Sequence, residues 1–254
     1  MFTIIRISAL TDNYIWLLNN GTSAVVVDPG SASEVLDTLK RENLTLGAIL
    51  ITHHHQDHQG GISELLEHYP ADVYGPAIES ITALSQPLRG GETIHLKAIN
   101  AQFQVIAVPG HTAGHLAFYG HNSLFCGDTL FGAGCGRVFE GTYDQMHDSL
   151  MRLSLLPEQT DIYCAHEYTE ANLRFARLVE PGNSRLQARV NETALARSKA
   201  FSTLPSTLEI EKASNPFLRC NQPEVIRSAQ SQDQNALEPA SVFRVLREWK
   251  NRFQ

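Results

Sequence analysis

The chain has 254 residues, of which 43% are hydrophobic and 19% are charged, and its formal net charge is −7. These values are ordinary for a globular protein with a large core and room for a small second domain. The negative charge argues against nucleic acid as a partner, because phosphate contacts need a basic surface. No apolar run approaches the roughly 18 residues that a membrane span requires.

The first predicted elements are short strands separated by glycine-rich turns. Residues 1–7 predict one strand, and residues 23–27 predict another that ends at Asp28-Pro29-Gly30. Helical patterns follow at residues 33–40 and 61–69. The N-terminus lacks the basic start, long apolar stretch and cleavage site of a signal peptide, so we expect a cytoplasmic protein.

A dense group of possible metal ligands follows the apolar strand predicted at residues 48–51. Residues 52–58 read Thr-His-His-His-Gln-Asp-His. In an extended chain, side chains two residues apart point the same way, so His53 and His55 can bind one ion while His54 points elsewhere. Asp57 and His58 come after the chain begins to turn and can face a second ion. Imidazole and carboxylate together suit zinc, iron or manganese.

Three further strands each end in one candidate ligand. Residues 103–108 lead to His111, residues 123–127 lead to Asp128, and residues 161–165 lead to His166. Taken alone, a histidine is more often a structural residue, and an aspartate at a strand end is more often a turn or cap residue. Four strand-end sites in succession make coincidence a poor explanation, and strand-end loops are where a scaffold presents chemistry.

The cysteines lack the spacing of a disulfide framework or of a second metal site. They lie at Cys126, Cys135, Cys164 and Cys220. Buried free thiols in a reducing compartment are the simplest interpretation.

The pattern becomes helical after residue 170. Helices are predicted at residues 171–179 and 185–200, and a last helix has Pro239 in its first turn. An apolar stripe marks this last helix at Val242, Val245, Leu246, Trp249 and Phe253. Arg247 and Lys250 lie one turn apart and can converge on one anion, although a solvated helix face is the alternative.

Together these motifs resemble a known family. The His-x-His-x-Asp-His segment, followed by a glycine-flanked histidine, an aspartate and a histidine, is the pattern of the metallo-β-lactamase superfamily. Residues 10–17, 127–131, 134–142 and 215–219 resemble the glyoxalase II, or hydroxyacylglutathione hydrolase, family. The resemblance implies an α+β fold, an αββα sandwich with a small C-terminal helical domain. It divides the chain into a catalytic domain, residues 1–170, and a helical substrate-binding domain, residues 171–254.

The resemblance also implies a binuclear metal site. Its ligands would be His53, His55 and His111 for one ion, Asp57, His58 and His166 for the other, and Asp128 as the bridge. Zinc is the expected metal, with iron and manganese as alternatives. A hydroxide between the ions would attack the thioester of S-(2-hydroxyacyl)glutathione, typically S-D-lactoylglutathione, in the second step of methylglyoxal detoxification. Asp57 and Asp128 are the catalytic candidates, and Asp57 could orient the hydroxide as well as bind metal.

Substrate contacts follow from the same resemblance. They are Arg137, Phe139, Tyr168, Arg247 and Lys250. Some members have Tyr where this chain has Phe139, which can pack there but cannot donate a hydrogen bond. His115 and Asp28 could orient metal ligands, although Asp28 is equally well explained as a turn residue. We expect a monomer.

Other functions within the superfamily would need different features. A persulfide dioxygenase would use a single iron and a glutathione-linked substrate. A ribonuclease would need a basic RNA-binding arm, which this chain lacks. A binding protein without catalysis would be expected to have lost ligands, yet all seven are present.

Overall fold

The computed structural model describes residues 2–253, and these form two compact units. Of the described residues, the first unit comprises 2–108 and 112–127, and the second comprises 109–111 and 128–253. Among the described residues, no helix is both long and apolar enough to cross a membrane.

The first unit contains ten strands and three α-helices. The strands are β1 (Thr3–Ala9), β2 (Asn13–Asn19), β3 (Ser23–Val27), β4 (Thr45–Leu50), β5 (Asp72–Pro76), β6 (Gln86–Leu88), β7 (Thr93–Leu96), β8 (Ala101–Ala107), β9 (Leu116–Gly120) and β10 (Ser123–Gly127). The helices are α1 (Ser33–Glu42), α2 (Gln56–Gln59), α3 (Ile62–His68) and a 3-10 turn, Lys97–Ile99.

Strands β1 to β6 form a mixed sheet in chain order, antiparallel from β1 to β3 and parallel from β3 to β6. The central strands β3 and β4 are largely buried apolar runs, as parallel strands usually are, and α1 and α3 pack on them through Val35, Leu39 and Leu65. Because β3, β4 and β5 are parallel, their carboxyl ends lie at one edge of the sheet. The residues that follow these three strands therefore share that edge.

Strands β7 to β10 form an antiparallel meander. Its register pairs Ala107 at the end of β8 with Leu116 at the start of β9. His115 thus lies at the end of the meander, and the Leu116 backbone N–H donates to the Thr52 carbonyl at 2.8 Å. This hydrogen bond ties the start of β9 to the histidine-rich loop of residues 52–58.

The second unit is mainly helical. Its helices are α4 (Tyr143–Ser154), α5 (Thr169–Val179), α6 (Ser184–Ser198), α7 (Leu208–Ser214), α8 (Pro223–Gln230), α9 (Pro239–Arg252) and a 3-10 turn, Pro216–Leu218. Its strands are the pair β11 (Leu130–Phe131) and β12 (Gly134–Cys135) and the pair β13 (Asp161–Cys164) and β14 (Ser206–Thr207).

Helix α9 begins at Pro239, as predicted, and its buried face packs on α4 and α8. The apolar stripe supplies Val242, Val245 and Leu246 to this interface. Aromatic rings reinforce the contact with α4, because His147 lies 5.6 Å from Phe243 between ring centroids. The solvated-face alternative fails at Arg247, which is only 4% exposed.

Candidate metal centre

The histidine-rich loop brings its predicted ligands close together in the first unit. Ligand atoms of His53 lie within 4.8 Å of those of His55 and of His58, and those of Asp57 and His58 lie equally close. The rings of His53 and His58 are 4.0 Å apart between centroids. The chain turns after His55 into the short helix α2, so Asp57 and His58 leave the extended path that His53 and His55 share.

Asp28 and Thr52 determine which ring nitrogens can bind a metal. The buried Asp28 carboxylate accepts from the Thr52 backbone N–H and hydroxyl, both at 2.8 Å, and from His58 Nδ1 at 3.0 Å. Because the Thr52 proton points to Asp28, its oxygen accepts from His53 Nδ1 at 3.0 Å. Protons on both Nδ1 atoms leave the Nε2 atoms of His53 and His58 as lone-pair donors, which is how carboxylates orient metal-binding histidines.

Asn13 restrains Asp57. Asn13 donates from Nδ2 to the Asp57 carboxylate Oδ2 at 3.1 Å and to its backbone carbonyl at 3.3 Å. Gly30, after β3, allows the chain to approach this loop, because a Cβ at residue 30 would overlap the Asp57 carbonyl. Asn13 lies in one of the motifs that carry the family resemblance, yet sequence reasoning assigned it no part in the site.

The second unit brings His111, Asp128 and His166 together. Asp128 Oδ2 lies 3.4 Å from His111 Nε2, and its other oxygen, Oδ1, lies 3.4 Å from His166 Nε2. His111 Nδ1 donates to the Arg137 carbonyl at 2.8 Å, so His111 Nε2 carries the lone pair. A carboxylate with one oxygen toward each imidazole has the donor arrangement of a bridging ligand.

A cavity of about 420 Å³ in the second unit is lined by His111 and Asp128 together with the predicted substrate contacts. Those contacts are Arg137, Phe139, Tyr168, Arg247 and Lys250. The volume lies within the range of small-molecule sites. Three of the lining side chains are cationic and only one is a carboxylate, so the cavity favours an anionic ligand although the whole chain is net negative.

The two basic residues of α9 differ in their environment. Arg247 donates from Nη1 to the Cys135 carbonyl at 2.7 Å and from Nε to Asn251 at 3.2 Å. Lys250 lies against aromatic faces, with Nζ 5.6 Å from the ring centroids of Phe175 and Phe253. Burial, together with the neighbouring arginines, lowers the pKa of Lys250 to about 8.

Aromatic rings flank the ligands of the second unit. Tyr168 stacks on His166 with ring centroids 4.8 Å apart and an interplanar angle of 3°. The largely exposed Phe139 ring meets His111 edge-on at 5.2 Å. Both rings line the cavity, and they can pack against the acyl part of a ligand.

These residues fit divalent metal ions. Every predicted ligand supplies an imidazole nitrogen or a carboxylate oxygen, the donors that borderline cations prefer. In three of the histidines the Nδ1 proton is committed to a protein acceptor, so Nε2 is available as a ligand. The four cysteines, by contrast, are buried free thiols, and burial raises the pKa of Cys164 and Cys220 well above the usual value.

Comparison with known proteins identifies the family. Residues 10–166 match the metallo-beta-lactamase superfamily, and residues 167–253 match the hydroxyacylglutathione hydrolase C-terminus. The hydroxyacylglutathione hydrolase of Nitrosomonas eutropha is 49% identical, and that of Photobacterium profundum is 51% identical. Each alignment covers 100% of both chains.

Solved structures share the fold. ETHE1 from Myxococcus xanthus is 24% identical, with a TM-score of 0.66 and 100% of both chains covered. The BLEG-1 B3 metallo-beta-lactamase is 26% identical, with a TM-score of 0.62 over 86% of this chain and 99% of the other. These likenesses confirm the predicted α+β sandwich and its C-terminal helical region. The chain therefore belongs to the hydroxyacylglutathione hydrolase family of the metallo-beta-lactamase superfamily.

Proposed function

We propose that the protein hydrolyses S-(2-hydroxyacyl)glutathione thioesters, typically S-D-lactoylglutathione, to glutathione and D-lactate. The observation that carries this proposal is the cavity of the second unit. The wall of this cavity contains two proposed metal ligands, His111 and Asp128. It also contains three cationic residues, Arg137, Arg247 and Lys250. Glutathione is anionic at neutral pH, so the cations suit its peptide tail while His111 and Asp128 suit the reacting end.

Two divalent ions complete the proposed site. His53, His55 and His111 would hold one, and Asp57, His58 and His166 the other, with Asp128 shared. Zinc is the expected metal, with iron and manganese as alternatives of similar ligand preference. When bound, such ions activate water near neutral pH and polarise a carbonyl. The support for this ligand set is the family pattern and the fixed ring orientations within each unit.

The chain's own residues prepare the reaction by orientation. Thr52 accepts a hydrogen bond from His53 Nδ1, and Asp28 accepts one from His58 Nδ1. Asn13 restrains the Asp57 carboxylate. Tyr168 and Phe139 enclose the reacting end with aromatic surface. The leaving group is a thiolate whose solution pKa is about 8.5, so it departs without a dedicated general acid.

The wider setting of this function is part of the proposal. The protein would act as a cytoplasmic monomer in the second step of methylglyoxal detoxification. Residues 1–170 would form the catalytic domain, and residues 171–254 would form the domain that binds the glutathione tail. The four buried free thiols are consistent with a reducing compartment.

The experiment uses the purified full-length chain loaded with zinc. We expect about two metal ions per chain and rapid hydrolysis of S-D-lactoylglutathione, with a much lower kcat/KM for a small thioester that lacks the glutathione tail. Equal kcat/KM for the two substrates would remove the role of the cationic cavity. Oxygen uptake with glutathione persulfide, without thioester hydrolysis, would instead identify a persulfide dioxygenase.

A further inference from the structure

An acidic residue with a buried side chain, Glu79, lies in the turn that follows β5, and no motif of the chain assigns it a role. Its side chain is 3% exposed. Oxygen Oε2 accepts from the backbone N–H of His54 at 2.8 Å and from its Nδ1 at 2.9 Å. Oxygen Oε1 accepts from the Thr112 hydroxyl at 2.6 Å and from the Gly114 N–H at 2.7 Å. One carboxylate thus joins two separate loops.

Both loops carry proposed metal ligands or their immediate neighbours in sequence. His54 is flanked by His53 and His55, and Thr112 follows His111 in the chain. The His54 peptide is also held from its other side, because the buried Gln59 donates from Nε2 to the His54 carbonyl. With its N–H, its carbonyl and its ring all engaged, the His54 residue has little freedom to rotate.

Gln59 attaches this loop to the same turn that carries Glu79. Its Nε2 also donates to the Ser80 carbonyl at 3.2 Å, and its Oε1 accepts from the Thr82 N–H at 2.8 Å. The turn after β5 and the histidine-rich loop are therefore joined by two buried side chains, Glu79 and Gln59. This arrangement holds the peptide whose neighbours on both sides are proposed ligands.

In the loop that follows His111, Gly114 allows the backbone to approach the Glu79 carboxylate closely. A Cβ at Gly114 would lie 2.8 Å from Glu79 Cγ and 2.9 Å from its Oε1. These distances are shorter than side chains tolerate, so only glycine lets the backbone N–H at residue 114 come this close. Glycine at this position and glutamate at residue 79 are thus parts of one arrangement.

We propose that Glu79 is a positioning residue for the metal centre, an inference that rests on the ligand set of the proposed function. It holds the backbone N–H and the ring of His54, and so it fixes the residue between the proposed ligands His53 and His55, whose ring centroids lie 4.6 Å apart. It also anchors the chain directly after His111. Burial of a carboxylate is unfavourable unless its lone pairs are satisfied, and here four donors from two ligand loops satisfy them.

The test is the substitution Glu79→Gln in the full-length chain. Glutamine keeps one acceptor oxygen but turns an NH₂ group toward two donors, so the hydrogen bonds to one of the two loops are lost. We expect the zinc affinity of the metal-free chain, measured by competition with a chelator, to fall about 10- to 100-fold. The KM for the thioester at saturating zinc should stay unchanged, because no hydrogen-bond partner of Glu79 is a proposed substrate contact.

Glu180→Gln is the matched control. The side chain of Glu180 is about as buried as that of Glu79, and it accepts three hydrogen bonds from Arg219 and Asn183, neither of them a proposed ligand. A general loss of stability would lower zinc affinity in both variants, whereas the proposal expects the loss in Glu79→Gln only. If Glu79→Gln does not fold, Thr112→Val offers a second test, because valine has nearly the shape of threonine but lacks the hydroxyl that donates to Glu79. We expect this variant to lose zinc affinity roughly three- to tenfold.

The outcomes separate this inference from the proposed function. A folded Glu79→Gln chain with wild-type zinc affinity and kcat overturns the role of Glu79 and leaves the hydrolase proposal intact. An equal loss in Glu180→Gln overturns it as well. A wild-type chain that binds zinc but hydrolyses no glutathione thioester, while Glu79→Gln still weakens zinc binding, supports the positioning role and rejects the substrate.

Discussion

Lys250 offers the sharpest test of the cationic cavity. Burial of its ammonium, together with the charges of Arg247, Arg174 and Arg137, lowers the pKa of Lys250 to about 8. At pH 7 a group with this pKa is still about 90% protonated. A charge-assisted hydrogen bond to an anionic substrate contributes about 1.5–3 kcal/mol, which corresponds to a roughly 10- to 100-fold change in affinity. We therefore expect Lys250→Met to raise the KM for S-D-lactoylglutathione by about that factor.

Under the proposed function this contact would be remote from the scissile thioester, so it should be equal in the ground state and the transition state. The kcat of Lys250→Met should then stay close to wild type, and a small thioester without the glutathione tail should be hydrolysed equally by both proteins. Lys212→Met is the matched control, because Lys212 is paired with Glu158 and lies outside the cavity. An unchanged KM in Lys250→Met would refute the anion-binding role.

Three further predictions follow from the site. Asp128→Ala removes the carboxylate between His111 and His166, so elemental analysis should find fewer than two metals per chain and kcat should fall; full loading at full rate would exclude the bridge. The KM of the wild type should rise as pH increases from 7 to 9, because deprotonation of Lys250 removes its charge, whereas the KM of Lys250→Met should show no such step. All four cysteines should react with a thiol reagent in denaturant without reductant, and fewer than four would indicate a disulfide.

Elements with a strong local signal were predicted closely. Strands β3 and β10 have the predicted bounds, because each is an apolar run between turn residues. Helix α4 was not predicted, although its signals are present. Thr142 and Gln145 form a capping box, and Met146, Leu150 and Leu153 are buried on one face. The two-residue strands β11, β12 and β14 have no such signal, because pairing with a partner alone defines them.

The candidate ligand positions can be recognised in the sequence for a physical reason. Each candidate follows a strand, and strand ends are easier to recognise than contacts between distant segments. The partners that orient the ligands were less accessible. Asp28 reaches Thr52 and His58 because β3 pairs with β4 in a register that sets Val27 opposite Leu50. Such a register depends on the assembled sheet. The contacts of Glu79, in the turn after β5, likewise depend on segments that are distant in sequence.

Arg247 shows what spacing alone does not reveal. The one-turn separation from Lys250 predicts that the two cations can converge on one anion, and both line the cavity. Arg247 is in addition buried and donates to the Cys135 carbonyl. Two residues further on, the Arg137 carbonyl accepts from His111 Nδ1. The segment from Cys135 to Arg137 is therefore held by helix α9 at one end and restrains a proposed metal ligand at the other.

Because of this connection, substitutions of Arg247 and of Lys250 should have different effects on kinetics and metal binding. Arg247→Ala removes the hydrogen bond to the Cys135 carbonyl, so the segment from Cys135 to Arg137 can shift and His111 no longer has a fixed acceptor in the Arg137 carbonyl. The same substitution also removes a cation from the cavity. We expect kcat and metal affinity to fall together with a rise in KM, whereas Lys250→Met changes KM alone. Steady-state kinetics and chelator competition on both variants decide the matter. If Arg247→Ala changes only KM, the two residues are equivalent anion contacts, and the link from helix α9 through Cys135 to His111 has no functional effect.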